Sequence, residues 1–95
     1  MSAIIVVDIT VHDAEKYAEY VKHVPALIKR HQGKYLVRGG EVDVIEGSWE
    51  PQRLVILEFP SASLAQAFLG DPDYQPVAEI RHAAASTNLI LVEGT

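Results

Sequence analysis

The sequence predicts an α+β fold in which four strands and two helical regions follow one another as β-α-β-β-α-β. Three observations lead there: short β-branched runs near both ends of the chain, a long amphipathic segment after the first run, and a second helical region just before the last.

Ala3 to Ile9 is β-branched and stops where Thr10, Val11, His12 and Asp13 bring polar and helix-capping chemistry, so it reads as the first strand. From Asp13 to His31, Tyr17, Tyr20, Val21, Val24, Leu27, Ile28 and His31 recur at three- and four-residue spacings. Glu15, Lys16, Glu19, Lys22 and Lys29 fill the opposite side, which makes the segment an amphipathic helix. Pro25 is expected to bend it, because the ring crowds the preceding turn and supplies no donor. Lys29 and Arg30 suit the negative helix end, and Gly33 is expected to take the left-handed stop.

Lys34 to Arg38 is strand-like, Gly39-Gly40 suits a bulge or sharp bend, and Glu41 to Glu46 resumes an extended pattern, which together predict one bent strand. Gly47 to Pro51 is a loop. Arg53 to Phe59 is the next strand, which Pro60 ends. Ser61 caps a helix carrying Leu64, Ala65, Phe68 and Leu69 on one side and stopping at Gly70. Asp71-Pro72-Asp73 begins a second helical piece that reaches about Ala85, and Asn88 to Glu93 is the last strand.

This order is that of the ferredoxin-like fold, a four-stranded antiparallel sheet with its helices on one face. In Ile4-Ile5-Val6-Val7, Leu54-Val55-Ile56-Leu57 and Leu89-Ile90-Leu91-Val92, apolar residues fall at odd and even positions alike. Both faces of the sheet are therefore oily, and helices cover only one. The bare face is on the order of several hundred Å², more than monomers commonly expose, so a second copy of the chain is the expected cover.

With 95 residues, 48% of them hydrophobic, the chain is expected to form a single domain over residues 1–95. It has no cysteine, which removes disulfides, thiolate nucleophiles and thiolate-bound metals. Thirteen acidic against eight basic side chains give a formal charge of −5, which disfavours nucleic acid and anionic lipid as partners. The apolar run after Met1 stops at Asp8, too short for a leader or membrane span, so no membrane association and a cytoplasmic location are expected.

Arg38, Arg53 and Arg81 are the sharpest features, because charged groups on or beside strands and on an amphipathic helix rarely lack partners. Their planar forks suit a ligand carboxylate gripped between sheet and helices; alternatively they form internal salt bridges with Glu46, Glu58 or Asp8. Tyr17, Tyr20 and Tyr74 can supply apolar wall and a hydroxyl to an oxygenated ligand, or simply pack in the core. Asp8 and Glu58 end the first and third strands; with those strands parallel, both carboxylates would sit at one end of the sheet and raise each other's proton affinity. Glu46, Glu58 and His23 are the candidate bases for a reaction. His12, His23, His31 and His82 are scattered without ligand spacing, so no metal is expected. Ser61 lacks a nucleophile elbow, Gly39-Gly40 lacks the context of a phosphate loop, and Trp49 is a candidate lid or dimer contact.

Several segments together resemble one family. Tyr17 and Tyr20, the run Gly33-Lys34-Tyr35-Leu36-Val37-Arg38-Gly39-Gly40, Glu46-Gly47-Ser48-Trp49, the Arg53 strand, Glu58-Phe59-Pro60-Ser61, Ala65, Tyr74 and Arg81 are similar to the domain-of-unknown-function family numbered 1330. That family tends to carry a second glycine where this chain has Lys34, and it lies within the dimeric α/β-barrel superfamily. The resemblance covers nearly the whole length and implies a ferredoxin-like protomer pairing sheet to sheet. It implies no reaction, since the superfamily holds cofactor-free monooxygenases, lactone isomerases, haem-degrading enzymes and members without established activity. The expected function is a homodimer binding a small anionic or oxygenated metabolite between sheet and helices, through Arg38, Arg53 and Arg81 with Tyr17, Tyr20 and Tyr74, and without a cofactor. The alternatives are a cofactor-free isomerase or monooxygenase, and a non-catalytic dimerisation module.

Overall fold

The computed structural model describes residues 1–95. Its elements are β1 (Ala3–Val11), α1 (Ala14–Arg30), β2 (Lys34–Arg38), β3 (Arg53–Phe59), α2 (Ala62–Leu69), α3 (Tyr74–Ala84) and β4 (Ala85–Glu93). The strands form one antiparallel sheet in the order β2-β3-β1-β4, the ferredoxin-like arrangement. No helix is long and apolar enough to cross a membrane.

The pleat sorts each strand into two faces. Ala3, Ile5, Val7 and Ile9 of β1 and Val55, Leu57 and Phe59 of β3 are buried under the helices. Phe59, Phe68 and Tyr74 stack in series there, with ring centroids 5.5 Å and 4.5 Å apart. The even-numbered residues face the other way, where no helix covers them and Trp49 reaches over only one end, at Asp8: Ile90 is 56% and Val92 47% exposed.

Local chemistry sets the helix ends. The Asp13 carboxylate accepts the Lys16 N–H at 3.1 Å and caps α1; Ser61 does the same for α2 through the Leu64 N–H. At the C-terminus of α1 the Gln32 N–H reaches the Lys29 carbonyl and the Gly33 N–H the Ile28 carbonyl, a complete Schellman motif. The left-handed residue in it is Gln32, at φ 65°, and not Gly33 as expected. Gly33 is required for a different reason: a Cβ there would lie within 2.8 Å of the Phe59 ring and of Ile28. α1 continues through Pro25.

Three further expectations are corrected. Glu41 to Glu46 is not strand: β2 ends at Arg38, Gly39 turns the chain at φ 71°, and no neighbouring strand lies beside 41–46 to pair with it. β1 runs two residues beyond Ile9, and β4 starts at Ala85 because Thr10 and Val11 give Ser86 and Ala85 partners. Finally, β1 and β3 are antiparallel, with Asp8 opposite Leu54 and Glu58 opposite Ile4. The two carboxylates therefore sit at opposite ends, roughly 13 Å apart along the strands. Glu58 pairs with Lys34 at 3.3 Å, and Asp8 accepts the Trp49 indole N–H at 2.9 Å.

Candidate functional site

Between α1 and the sheet lies a narrow slot of about 30 Å³. Val21, Val24 and Ile28 of α1 form its roof, and Val7, Ile9, Val55 and Leu57 its floor. Aliphatic side chains make these surfaces because α1 places every third or fourth residue over the inner face of the sheet. Tyr17, Tyr20, Tyr35, Arg38 and Arg53 complete the lining, which contains no carboxylate and no imidazole.

A β-bulge builds part of this lining. Tyr35 pairs with Leu57 and Val37 with Ile56, so Leu36 is the extra residue in β2. Strict alternation would send Tyr35 and Arg38 to opposite faces; the bulge turns both inward, with Arg38 opposite the buried Val55. The Arg38 guanidinium then lies 4.4 Å from the centre of the Tyr35 ring.

Arg53, opposite Ile9, also points to the inner face. Its Nε–H donates to the Tyr17 hydroxyl at 3.1 Å, and the guanidinium carbon is 5.5 Å from the centre of that ring. Gly39 makes room for it, since a Cβ at that position would collide with the Arg53 guanidinium. Tyr17, Val21 and Arg53 line both the slot and an open groove of about 480 Å³ that Val11, Ala14 and Ala18 complete.

Neither arginine meets a carboxylate. The ion pairs of the chain belong to Lys22, His23, Arg30, His31, Lys34 and His82, so the alternative that Arg38, Arg53 or Arg81 is held by Glu46, Glu58 or Asp8 is overturned.

Tyr74 and Arg81 lie behind the slot, across Tyr20. The Tyr20 and Tyr74 hydroxyls are 3.5 Å apart, and the Arg81 guanidinium is 5.8 Å from the Tyr20 ring centre. Arg81 is 5% exposed; its Nη1 donates to Thr87, its Nη2 faces His82, and its Nε has no partner. Burial, with the neighbouring Tyr74, pushes the Tyr20 hydroxyl well above its ordinary pKa. Burial also raises that of Tyr35. Both phenols stay protonated at neutral pH and act as hydrogen-bonding groups, not bases.

The candidate bases lie outside the slot. His23 is exposed on α1 with Glu19 at 3.6 Å, Glu46 is exposed in the segment after β2, and Glu58 is on the uncovered face of the sheet. No three histidine or acidic side chains gather in a way that could hold a metal ion. Reasoning from the sequence missed Tyr35 as a wall residue, since its inward turn depends on a bulge that leaves no local signal. Chemically, two guanidinium groups at the mouth of an apolar recess offer hydrogen-bond donors of the kind that suit an anion.

Among solved structures, a protein of unknown function from Rhodopseudomonas palustris, RPA0582, is similar with a TM-score of 0.82 and 20% identity, over 99% of this chain and 82% of that one. A dimeric ferredoxin-like protein of unknown function from Jannaschia sp. CCS1 matches with a TM-score of 0.74 and 12% identity, over 99% and 100% of the two chains. SnoaB, a cofactor-independent oxygenase from Streptomyces nogalater, matches with a TM-score of 0.66 and 14% identity, over 99% and 93%. At these identities the likeness is one of fold. A search of curated protein sequences finds no match. The model of the family described as domain of unknown function DUF1330 matches residues 2–95, and the chain belongs to that family.

Proposed function

We propose that this chain is a small-molecule-binding protein that works as a homodimer and takes a small anionic metabolite between α1 and the sheet. One observation carries the reading: Arg38 and Arg53 stand without a carboxylate at the mouth of an apolar slot, in a chain that has acidic side chains in excess. Arg38 is exposed and Arg53 partly buried, so an anion can reach both guanidiniums, and the partly buried one gains more from being completed. The slot as it stands holds about two water molecules, so on this reading Tyr17 and Arg53, which line slot and groove alike, act as a gate that must swing outward to admit the ligand.

Dimerisation through the uncovered sheet face is supported by Ile4, Val6, Leu54, Ile56, Ile90 and Val92, which form one apolar surface. The Jannaschia protein of the same fold is described as dimeric. Sedimentation at micromolar concentration is expected to give a dimer, and Ile90→Asp a monomer; a wild-type monomer would refute this part.

Binding is tested by calorimetry and thermal shift against a panel of carboxylated metabolites. Any ligand specific to the native state raises the melting temperature. The expected result is a hit with wild type that is lost in Arg53→Gln, whereas hits indifferent to both Arg38 and Arg53 would overturn the assignment.

A further inference from the structure

Within the site proposed above, polar and apolar groups are segregated along one axis. At one end stand Arg38, Arg53 and the Tyr17 hydroxyl; toward the other, Val24, Ile28 and Leu57 offer only hydrocarbon. Leu57 is four strand residues beyond Arg53 and Ile28 three helical turns beyond Tyr17, so the lining runs roughly 13–16 Å inward from these two residues. Of the three phenols in the lining, the Tyr17 hydroxyl is engaged with Arg53 and the Tyr20 hydroxyl with Tyr74, which leaves that of Tyr35 as the one free hydroxyl.

We infer that the ligand is a monocarboxylate with an apolar tail, bound tail inward, its carboxylate clamped by Arg38 and Arg53 and its tail lying between Val24, Ile28 and Leu57. This inference rests on the anion-binding reading and goes beyond it in class and orientation. Arg38 and Arg53 are diagonal neighbours on one face of β2 and β3, with Cα atoms roughly 7 Å apart, close enough for both forks to reach a single carboxylate. A sugar or polyol would leave its hydroxyls without partners against the aliphatic floor. A polyanion such as citrate would bring charge beyond what two guanidiniums neutralise, in a protein of net charge −5.

The test is calorimetry on the full chain with acetate, butanoate, hexanoate, octanoate, 1-octanol and citrate. Affinity is expected to rise about tenfold for each two carbons added along the carboxylate series, because each buried methylene contributes a nearly constant free energy. Octanol is expected to bind at least ten times more weakly than octanoate, and Arg53→Gln to remove that difference while leaving octanol unchanged. Val24→Phe, which fills the recess, is expected to weaken octanoate far more than acetate, with Val24→Met serving should the larger ring prevent folding. Affinity independent of chain length, with citrate equal to octanoate, would overturn the tail-inward ligand while leaving anion binding intact. Failure of every anion in the series to bind at millimolar concentration would overturn the anion site itself, and this inference with it.

Discussion

Two arginine sites in this molecule have opposite surroundings. At the C-terminus of α1, Arg30 holds Asp71 at 3.0 Å and Asp73 at 2.8 Å, while His31 holds the same Asp71 oxygen at 2.7 Å. At the slot mouth, Arg38 and Arg53 have only tyrosines. Acidic side chains are plentiful, thirteen against eight lysines and arginines, so the absence of a partner at the mouth is not a shortage. A corner whose charges are all answered locks α1 to the turn between α2 and α3. A mouth whose charges are unanswered keeps guanidinium donors free, which is what the proposed anion site requires.

The largest expected effect on stability is at the corner. Asp71→Ala removes one of the two partners of Arg30, the partner of His31 and the acceptor for the Asp73 N–H, so the melting temperature should fall by several degrees. Arg38→Ala should move it little; equal losses would erase the contrast. The corner also carries a pH signature. The hydrogen bond from His31, then that from the Asp73 N–H, with Arg30 adding to them, holds the Asp71 carboxyl at about 2 against an ordinary 3.8. A depressed native pKa means the unfolded chain takes up the proton more readily. The corner's stabilisation is therefore complete above pH ~4 and lost as the pH falls through 4 toward 2. Acid titration of the melting temperature should show this limb in wild type and a flatter one in Asp71→Asn.

At the mouth the expected effect falls on binding. Arg53→Gln should weaken a carboxylate ligand about ten- to hundredfold, the range for a hydrogen bond to a charged group, while stability changes by less than ~1 kcal/mol. Gly39→Ala should reach the same site indirectly. It places a Cβ in the left-handed region, costing about 1–2 kcal/mol, and drives the Arg53 guanidinium from its seat. A combined loss of stability by urea denaturation and of affinity by calorimetry is expected; loss of stability alone would mean that Gly39 does not position Arg53.

The order of elements was legible because it is written in local periods. Arg53–Phe59 coincides with its observed strand, and Asp13 and Ser61 cap the helices they precede. What escaped depends on residues distant in sequence. Glu41 to Glu46 alternates like a strand yet stays unpaired, because pairing needs a neighbour and the Gly39 turn leads away from one. Tyr17, Tyr20, Arg38 and Arg53 stood out as polar groups on apolar elements, and the slot gathers them. Tyr35 did not, because its face follows from register across β3, and a single extra residue at Leu36 reverses it. Arg81 and Tyr74 are outside the slot lining, on the far side of Tyr20.

The smallest expected effect separates two adjacent residues at the corner. Gln32 carries the left-handed turn that closes α1, a conformation that costs a side-chain-bearing residue about 1–2 kcal/mol, while glycine adopts it freely. Part of that gain is cancelled because glycine has more freedom to lose on folding, leaving Gln32→Gly more stable by about 0.5–1 kcal/mol. Gly33→Ala should go the other way despite an ordinary backbone, since its new methyl would press on the Phe59 ring and Ile28 in the core. Urea titrations that find both substitutions destabilising would mean that the Gln32 side chain stabilises the corner beyond its backbone strain. Opposite signs would show that backbone conformation governs position 32 and packing governs position 33.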